Sequence, residues 1–296
     1  MNDARHEPVM VPEVVSLLAP SRGGLFVDCT LGLGGHGAAL LANGATRLLG
    51  LDRDQQALQI AAERLGPWGD RVELVHSDYR DLPHVLAERG IAAVDGMLAD
   101  LGVSSMQLDA EGRGFSFRRD EPLDMRMDRS AGPTAADLIA SVDETELANV
   151  IFEFGEERHS RRVARYIVAA RTAGRIETTG QLAAIVRRAV PARGYQRIDP
   201  ATRTFQALRI WVNRELEGLD AFLTTATDRL LAGARLAVIT FHSLEDRIVK
   251  HTFRALAAAG EALQVLTRKP VTPGEEELAR NPRARSAKLR AIERLA

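Results

Sequence analysis

The sequence predicts an α/β fold: a mostly parallel, doubly wound sheet interrupted by an inserted all-helical domain. Three observations predict it. Short apolar runs alternate with helical patterns of about ten residues along the first part of the chain, the signature of right-handed β-α-β crossovers. The alternation stops after Gly102, and residues 109–200 show no clear strand. It resumes at Arg235–Phe241 (RLAVITF). The expected division is a discontinuous α/β domain, 1–108 and 201–296, around a helical insertion at 109–200.

Residues 6–20 (HEPVMVPEVVSLLAP) read as a short helix entering the first strand, Leu25–Val27. A glycine-rich turn and a helical pattern (Ala38, Ala39, Leu40, Leu41) lead to the second strand, Leu48–Leu51. Ala57–Leu65 is a helix, Arg71–Val75 a third strand, Leu82–Arg89 a helix and Val94–Leu98 a fourth strand. In the insertion, GRGFSF (Gly112–Phe117) and PLDMRMD (Pro122–Asp128) read as ordered loops. Thr134–Ile139, Glu144–Phe154, Ser160–Thr172 and Thr179–Val190 have helical spacing, several with Ser or Thr where an N-cap belongs. Thr202–Leu231 is helical, broken or bent around Gly218. Leu244–Ala259 is a helix after the fifth strand. Leu263–Thr267 and Ser286–Glu293 are closing strands, with loop over residues 271–285.

In doubly wound sheets, ligands bind beyond the carboxyl ends of the strands. Asp28, Asp52, Asp78-Tyr79 and Asp100 all fall there. Between Asp28 and Asp52 lie Gly32, Gly34, Gly35 and Gly37. Glycines allow positive φ and close approach of a ligand to the backbone, and the helix behind them offers free N–H groups. An acid ending the second strand is placed to accept both hydroxyls of a ribose. The turn therefore predicts a nucleoside-bearing cofactor rather than a plain β-to-α connection. Gly32, Gly34 and Gly37 also spell the dinucleotide pattern G-x-G-x-x-G, but Asp28 would repel a pyrophosphate. A carboxylate there suits a cationic amino-acid end. His36 also sits where tight helix packing against the third glycine begins. S-adenosylmethionine fits these residues better than a dinucleotide.

Apolar residues make up 45% of the 296-residue chain, ordinary for a globular protein. A single cysteine, Cys29, excludes a disulfide framework and a cysteine zinc site. The seven histidines show no ligand spacing, so no metal is expected. No run approaches the roughly 18 apolar residues of a membrane span, and the N-terminus lacks signal-peptide character, so a cytoplasmic protein without membrane association is expected. Net charge of −1 hides an asymmetry: from Arg158 to Arg214 there are 13 arginines against two acids, Glu177 and Asp199. Arginine replaces lysine throughout (only Lys250, Lys269 and Lys288 occur), which explains the residue type but not the missing acids. The planar guanidinium fork suits phosphate. This segment, with Arg187, Arg188 and Arg193, is the expected nucleic-acid face.

Ten ordered motifs spanning essentially the whole chain resemble the bacterial MraW/RsmH methyltransferases. They begin with Asp28-Cys-Thr-x-Gly-x-Gly-Gly-His36, Asp52-Arg-Asp54, Asp100-Leu-Gly-Val-Ser-Ser-x-Gln107, Gly114-Phe-Ser-Phe117 and Pro122-Leu-Asp-Met-Arg-Met-Asp128. They continue with Gly155-Glu-Glu-Arg158, Ala201-Thr-Arg-Thr-Phe-Gln206, Arg209-Ile-Trp-Val-Asn213, Phe241-His-Ser-Leu-Glu-Asp-Arg247 and Asn281-Pro-Arg-Ala-Arg285. The resemblance implies a class I S-adenosylmethionine methyltransferase fold. It implies methylation of N4 of one cytidine in 16S rRNA, in the decoding region, with the small ribosomal subunit as partner. By the same resemblance Gly34, Gly35 and His36 line the cofactor's methionine end, Asp52 takes the ribose hydroxyls and Tyr79 lies against adenine. Asp100 and Gln107 complete that pocket.

An exocyclic cytosine nitrogen is a poor nucleophile because its lone pair is delocalised into the ring. A hydrogen bond from its N–H to an oxygen acceptor pushes density back, and positioning supplies much of the remainder. Many amino-methyltransferases place Asp/Asn/Ser-Pro-Pro-aromatic after the fourth strand; here the chain reads Asp100-Leu-Gly-Val. Asp100 is the candidate catalytic residue, serving cofactor, amine or both, and base stacking must come from elsewhere. Phe115, Phe117, Tyr195 and Trp211 are candidates, each also readable as core. His242 reads either as a substrate contact or as a cap at a strand end, and His6 and Glu7 are weaker candidates. N4 is paired within a duplex, so the target is unpaired or flipped. Two rival readings remain: a DNA amino-methyltransferase, disfavoured by the missing Pro-Pro-aromatic, and a non-catalytic nucleotide-sensing RNA-binding protein. A monomer and a homodimer are both compatible with the sequence.

Overall fold

The computed structural model describes residues 7–102, 110–191, 198–260 and 262–296. The chain divides into two units, residues 1–104 with 217–296, and residues 105–216. Among the described residues the helices are α1 Val11–Leu18, α2 Gly35–Ala42, α3 Gln55–Leu65, α4 Leu82–Glu88, α5 Ala135–Ser141 and α6 Glu144–Gly155. They continue as α7 Ser160–Ala173, α8 Thr179–Ala189, α9 Ala201–Asn213, α10 Leu219–Asp228, α11 Ser243–Ala258 and α12 Glu275–Arg280.

The first unit carries the sheet. Its strands are β1 Leu25–Asp28, β2 Arg47–Asp52, β3 Val72–His76, β4 Val94–Leu101, β5 Leu230–Thr240, β6 Leu263–Val265 and β7 Lys288–Arg294, in spatial order β3-β2-β1-β4-β5-β7-β6. β1 to β5 are parallel; β7 runs antiparallel to both β5 and β6. Side chains alternate along each strand. Val27, Leu49, Leu51, Met97, Ala99, Leu236 and Val238 pack with Leu86, Phe222, Leu223, Val249 and Phe253 of α4, α10 and α11. Their neighbours Phe26, Leu48, Leu98, Ala237 and Ile239 pack with Leu18, Leu40, Leu58 and Leu65 of α1, α2 and α3. Helices on both faces explain why these strands read as continuous apolar runs. The strand order reverses between β1 and β4, which places the switch point beside Asp28 and Asp100.

The second unit is helical, and its described residues hold a single isolated bridge, Pro122 to Thr178. Capping boxes start α5 (Thr134 with Asp137) and α8 (Thr178 with Gln181), each closing two otherwise orphaned N–H groups. Ser160 is the first residue of α7 rather than its cap; His159 stands at the N-cap without a side-chain bond.

Three expectations are corrected. The boundary falls at residues 216/217 rather than 200/201, because α9 packs on α6 of the second unit. Gly155 admits it: a Cβ there would lie 2.5 Å from the Arg203 carbonyl oxygen. The helical stretch from Thr202 breaks between Arg214 (φ 51) and Gly218 as expected, but α10 ends at Asp228 and β5 starts at Leu230, paired with Val94, rather than at Arg235. Within the expected loop 271–285 lies α12, with Glu275, Glu276 and Glu277 in its first turn and Arg280 in its last, charges that complement the helix dipole. A six-residue helix is too short for periodicity to reveal it.

Candidate active site

β1, β2 and β4 end side by side, and their register sets the site. Asp28 pairs with Gly50 and Leu98, so Asp52 and Asp100, two residues further along their strands, stand beyond it. The chain leaving β1 stays tied to both neighbours: the Cys29 N–H donates to the Leu98 carbonyl at 2.8 Å and the Leu31 N–H to the Leu51 carbonyl at 2.8 Å. Gly34 (φ 76) then turns into α2 in the left-handed region, where glycine pays no steric penalty. No side chain caps that helix start.

The polar groups interlock. Asp52 accepts the Gly32 N–H at 2.7 Å on Oδ2 and the Asp54 N–H at 2.8 Å on Oδ1. Thr30 donates its N–H to Asp28 Oδ1 at 3.2 Å and accepts the Asp100 N–H on Oγ1 at 2.6 Å. His36 Nε2 lies 3.5 Å from Asp100 Oδ2. Burial pushes the Asp28 carboxyl up to about 7; His36 and the Thr30 N–H pull it back, and Asp100 and Asp52 push it further. Burial alone would lower His36, but Asp100, Asp28 and Glu277 outweigh it and raise the imidazole. Burial also raises Asp52, against its two backbone donors.

Four buried atoms, Asp28 Oδ2, Asp100 Oδ1 and both ring nitrogens of His36, have no hydrogen-bond partner among the described residues. Buried polar atoms are normally satisfied, and such orphans in one place mark a ligand's position. Two carboxylate oxygens beside a glycine turn fit a cationic donor. They fit the amino-acid end of S-adenosylmethionine and not a pyrophosphate. A pH dependence follows. A cation binds the Asp28 carboxylate, which protonates as pH falls through about 7, while His36 gains positive charge in the same direction. S-adenosylmethionine affinity should therefore be full above that pH and fall by about tenfold between pH 8 and pH 6. In Asp28→Asn the dependence should flatten; calorimetry at the two pH values checks both.

Tyr79 is buried, its ring 4.7 Å from that of Phe222 and beneath Arg80 at 6.0 Å. Burial would raise the adjacent Asp78, but bonds from Arg80 and the charge of Arg53 hold it below the usual carboxylate range. His242 is the cap of α11: its Nδ1 accepts the Glu245 N–H at 3.3 Å, and Nε2 lies 3.1 Å from Glu245 Oε1. Glu245 in turn accepts the Phe241 N–H at 2.9 Å. The capping reading of His242 is the one this geometry favours. Gln107, Arg193, Tyr195 and His6 lie outside the described residues.

In the second unit, Phe115 is buried, and Phe117 meets Phe205 edge-on at 4.7 Å under the Arg187 guanidinium at 5.6 Å. Arg187 is committed to Asp199 through bonds of 2.8 and 3.0 Å, whereas Arg188 is exposed and Trp211 half-buried. Asn213 fixes the PLDMRMD loop: it accepts the Met127 N–H at 2.7 Å and donates to the Met125 carbonyl at 2.8 Å. Thr30 and Glu277 escaped the sequence reading. Thr30 lay inside a motif read for its glycines, and Glu277 in a stretch read as loop.

A sheet of order 3-2-1-4-5-7-6 with an antiparallel seventh strand, carrying acids at the ends of β1, β2 and β4, defines a class I methyltransferase. The family model of the MraW methylase family matches residues 3–295, and the chain belongs to that family. Relatives named ribosomal RNA small subunit methyltransferase H are similar end to end. The one from Geobacter sp. (strain M21) is 48% identical over 312 residues, covering 100% of both chains. That from Nitrobacter hamburgensis is 52% identical over 99% of this chain and 91% of its own. That from Sorangium cellulosum is 52% identical over 98% and 91%.

Proposed function

We propose that this protein is an S-adenosylmethionine-dependent methyltransferase of small-subunit ribosomal RNA, acting on N4 of a cytidine in 16S rRNA. The carrying observation is that one oxygen each of Asp28 and Asp100, beside His36 at the sheet's switch point, has no partner among the described residues. When bound, S-adenosylmethionine supplies a methyl group made electrophilic by its sulfonium. The Gly34–His36 turn and Asp28 hold the amino-acid end, and Asp52 the ribose. Tyr79 lies against adenine, and Gln107, by the family resemblance, completes the cofactor pocket with Asp100. Asp100 Oδ1 would accept a hydrogen bond from the N4 amine and return electron density to nitrogen. The nitrogen would gain the bond to the methyl group as the sulfur–carbon bond breaks to leave a neutral thioether, the surplus N4 proton passing to solvent. Similarity over full length to relatives named for small-subunit rRNA supports the substrate class. Helices that lack the length and apolarity to cross a membrane, among the described residues, fit a cytoplasmic ribosomal substrate. Incubation with labelled S-adenosylmethionine and small ribosomal subunits, then nucleoside analysis, tests the reading: label in N4-methylcytidine supports it, and label in any other nucleoside, or none, overturns it.

The second unit is the RNA-recognition part of this reading. Arg161 and Arg165 lie four residues apart on the exposed stripe of α7, and Arg188 is exposed on α8. Arg187, tied to Asp199, contributes less of its charge. Replacing Arg161, Arg165 and Arg188 with Gln should weaken RNA binding and flatten its salt dependence by about one log unit per lost phosphate contact. Cofactor affinity should hardly move. An unchanged salt slope would place the RNA face elsewhere.

A further inference from the structure

Residues Glu7–Met10 precede α1 outside any helix or strand, yet they are firmly held. Val9 is buried and Met10 completely so. Pro8 rests on the glycine turn: a Cβ added at Gly35 would lie 2.8 Å from Pro8 Cγ and 3.1 Å from its Cβ. Gly35 is therefore a glycine for the sake of this strap. The strap is fastened at both ends to the segment between β6 and β7. Met10, in the left-handed region at φ 57, donates its N–H to Glu277 Oε1 at 2.8 Å. Arg280 Nε donates to Glu7 Oε1 at 2.8 Å, and Asn281 Nδ2 to the Glu7 carbonyl at 3.2 Å.

Glu277 is an expensive choice for a fastening. It is buried, where carboxylates are rarely found unless paired, and it accepts the Met10 N–H. Apolar packing would hold the strap at lower cost, and Leu278 beside it already packs that way. The charge has a nearby target: Glu277 is among the groups that raise His36, together with Asp100 and Asp28. The same residue thus fixes the strap on Gly35 and adds negative charge near the next residue, His36.

We propose that Glu277 is a positioning residue for the cofactor's amino-acid end: by clamping the Glu7–Met10 strap onto Gly35 it holds the Gly34–His36 turn in the shape that end requires. The inference rests on the reading that this turn holds the amino-acid end. It assigns a binding role to α12, remote in sequence from the glycine motif, and separates recognition of that end from recognition of adenosine by Asp52.

Two ligands separate these roles in the intact protein. S-adenosylhomocysteine carries the amino-acid end, and 5′-methylthioadenosine has the same nucleoside and sulfur without it. By calorimetry, Glu277→Ala should weaken S-adenosylhomocysteine about tenfold and leave 5′-methylthioadenosine within about twofold. Glu277→Gln, which keeps an acceptor for the Met10 N–H, should recover most of the loss. Equal weakening of both ligands would reduce Glu277 to a general structural role, and no weakening would remove it from binding; either overturns the proposal. Should Glu277→Ala fail to fold, Arg280→Gln at the exposed end of the clamp carries the test, with a smaller shift of the same selectivity expected and none overturning it. His36→Asn tells the two readings apart. If it weakens only S-adenosylhomocysteine while Glu277→Ala does not, the clamp falls and the turn's role stands. If it weakens both ligands equally, the turn does not read the amino-acid end and both fall.

Discussion

Asp100→Asn is expected to lower kcat by about two orders of magnitude or more, comparable to losing one preorganised electrostatic contact. The Kd for S-adenosylmethionine should change far less. The backbone of Asp100 is pinned by its N–H to Thr30 Oγ1 at 2.6 Å, and its Oδ2 faces His36 at 3.5 Å. Those contacts orient the carboxylate and leave Oδ1 buried without a partner among the described residues. An amine donating to Oδ1 gains positive character as its nitrogen takes the methyl group, so the bond strengthens toward the transition state. Interactions of that kind act on kcat, whereas those equal in both states act on KM. Asparagine keeps the shape and one acceptor oxygen but removes the charge. Should Asp100 only order the cofactor, Kd and KM would rise together while the saturated rate survived. Single-turnover rates at saturating cofactor decide between them, and a parent-like rate would remove Asp100 from the chemistry.

The two halves of the molecule were not equally legible in the sequence. The sheet was, because each strand's alternating side chains enter two apolar layers, as with Phe26 on one face and Val27 on the other, and because each acid follows directly on such a run. The boundary after the insertion was not. α9 buries Phe205 and Leu208 on one face and Ile210 on the opposite one, a pattern equally suited to either unit. Its packing shows only in contacts distant in sequence, such as Gly155 at the Arg203 carbonyl and Gln206 Nε2 on the Phe154 carbonyl. His242 was ambiguous for a local reason. His-Ser-Leu-Glu has capping-box spacing, with histidine where Ser or Thr is usual. Glu277 was invisible because its partner Met10 is 267 positions away, and no local pattern announces a bond of that separation. Arg187 looked like a free phosphate ligand because its countercharge, Asp199, sits twelve residues on in a segment otherwise nearly free of acids.

Asp52→Ala should weaken S-adenosylmethionine binding by roughly 1.5–3 kcal/mol, the range for a hydrogen-bond partner that is charged. The Gly32 and Asp54 N–H groups each occupy one carboxylate oxygen of Asp52, at 2.7 and 2.8 Å. Each oxygen retains a second lone pair, enough to accept one ribose hydroxyl apiece. Burial raises this carboxyl, so donors that favour its charged form are worth more here than at a solvated acid. Alanine therefore removes the two ribose bonds and frees the Gly32 N–H, loosening the turn that leads to Gly34. Those two losses separate in a double cycle with 2′-deoxy cofactor. Deleting the 2′-hydroxyl should weaken binding to the parent protein and make little further difference in Asp52→Ala. Equal losses in both proteins would show that Asp52 orders the turn without touching the ribose, and unchanged affinity in a folded Asp52→Ala protein would remove it from the site.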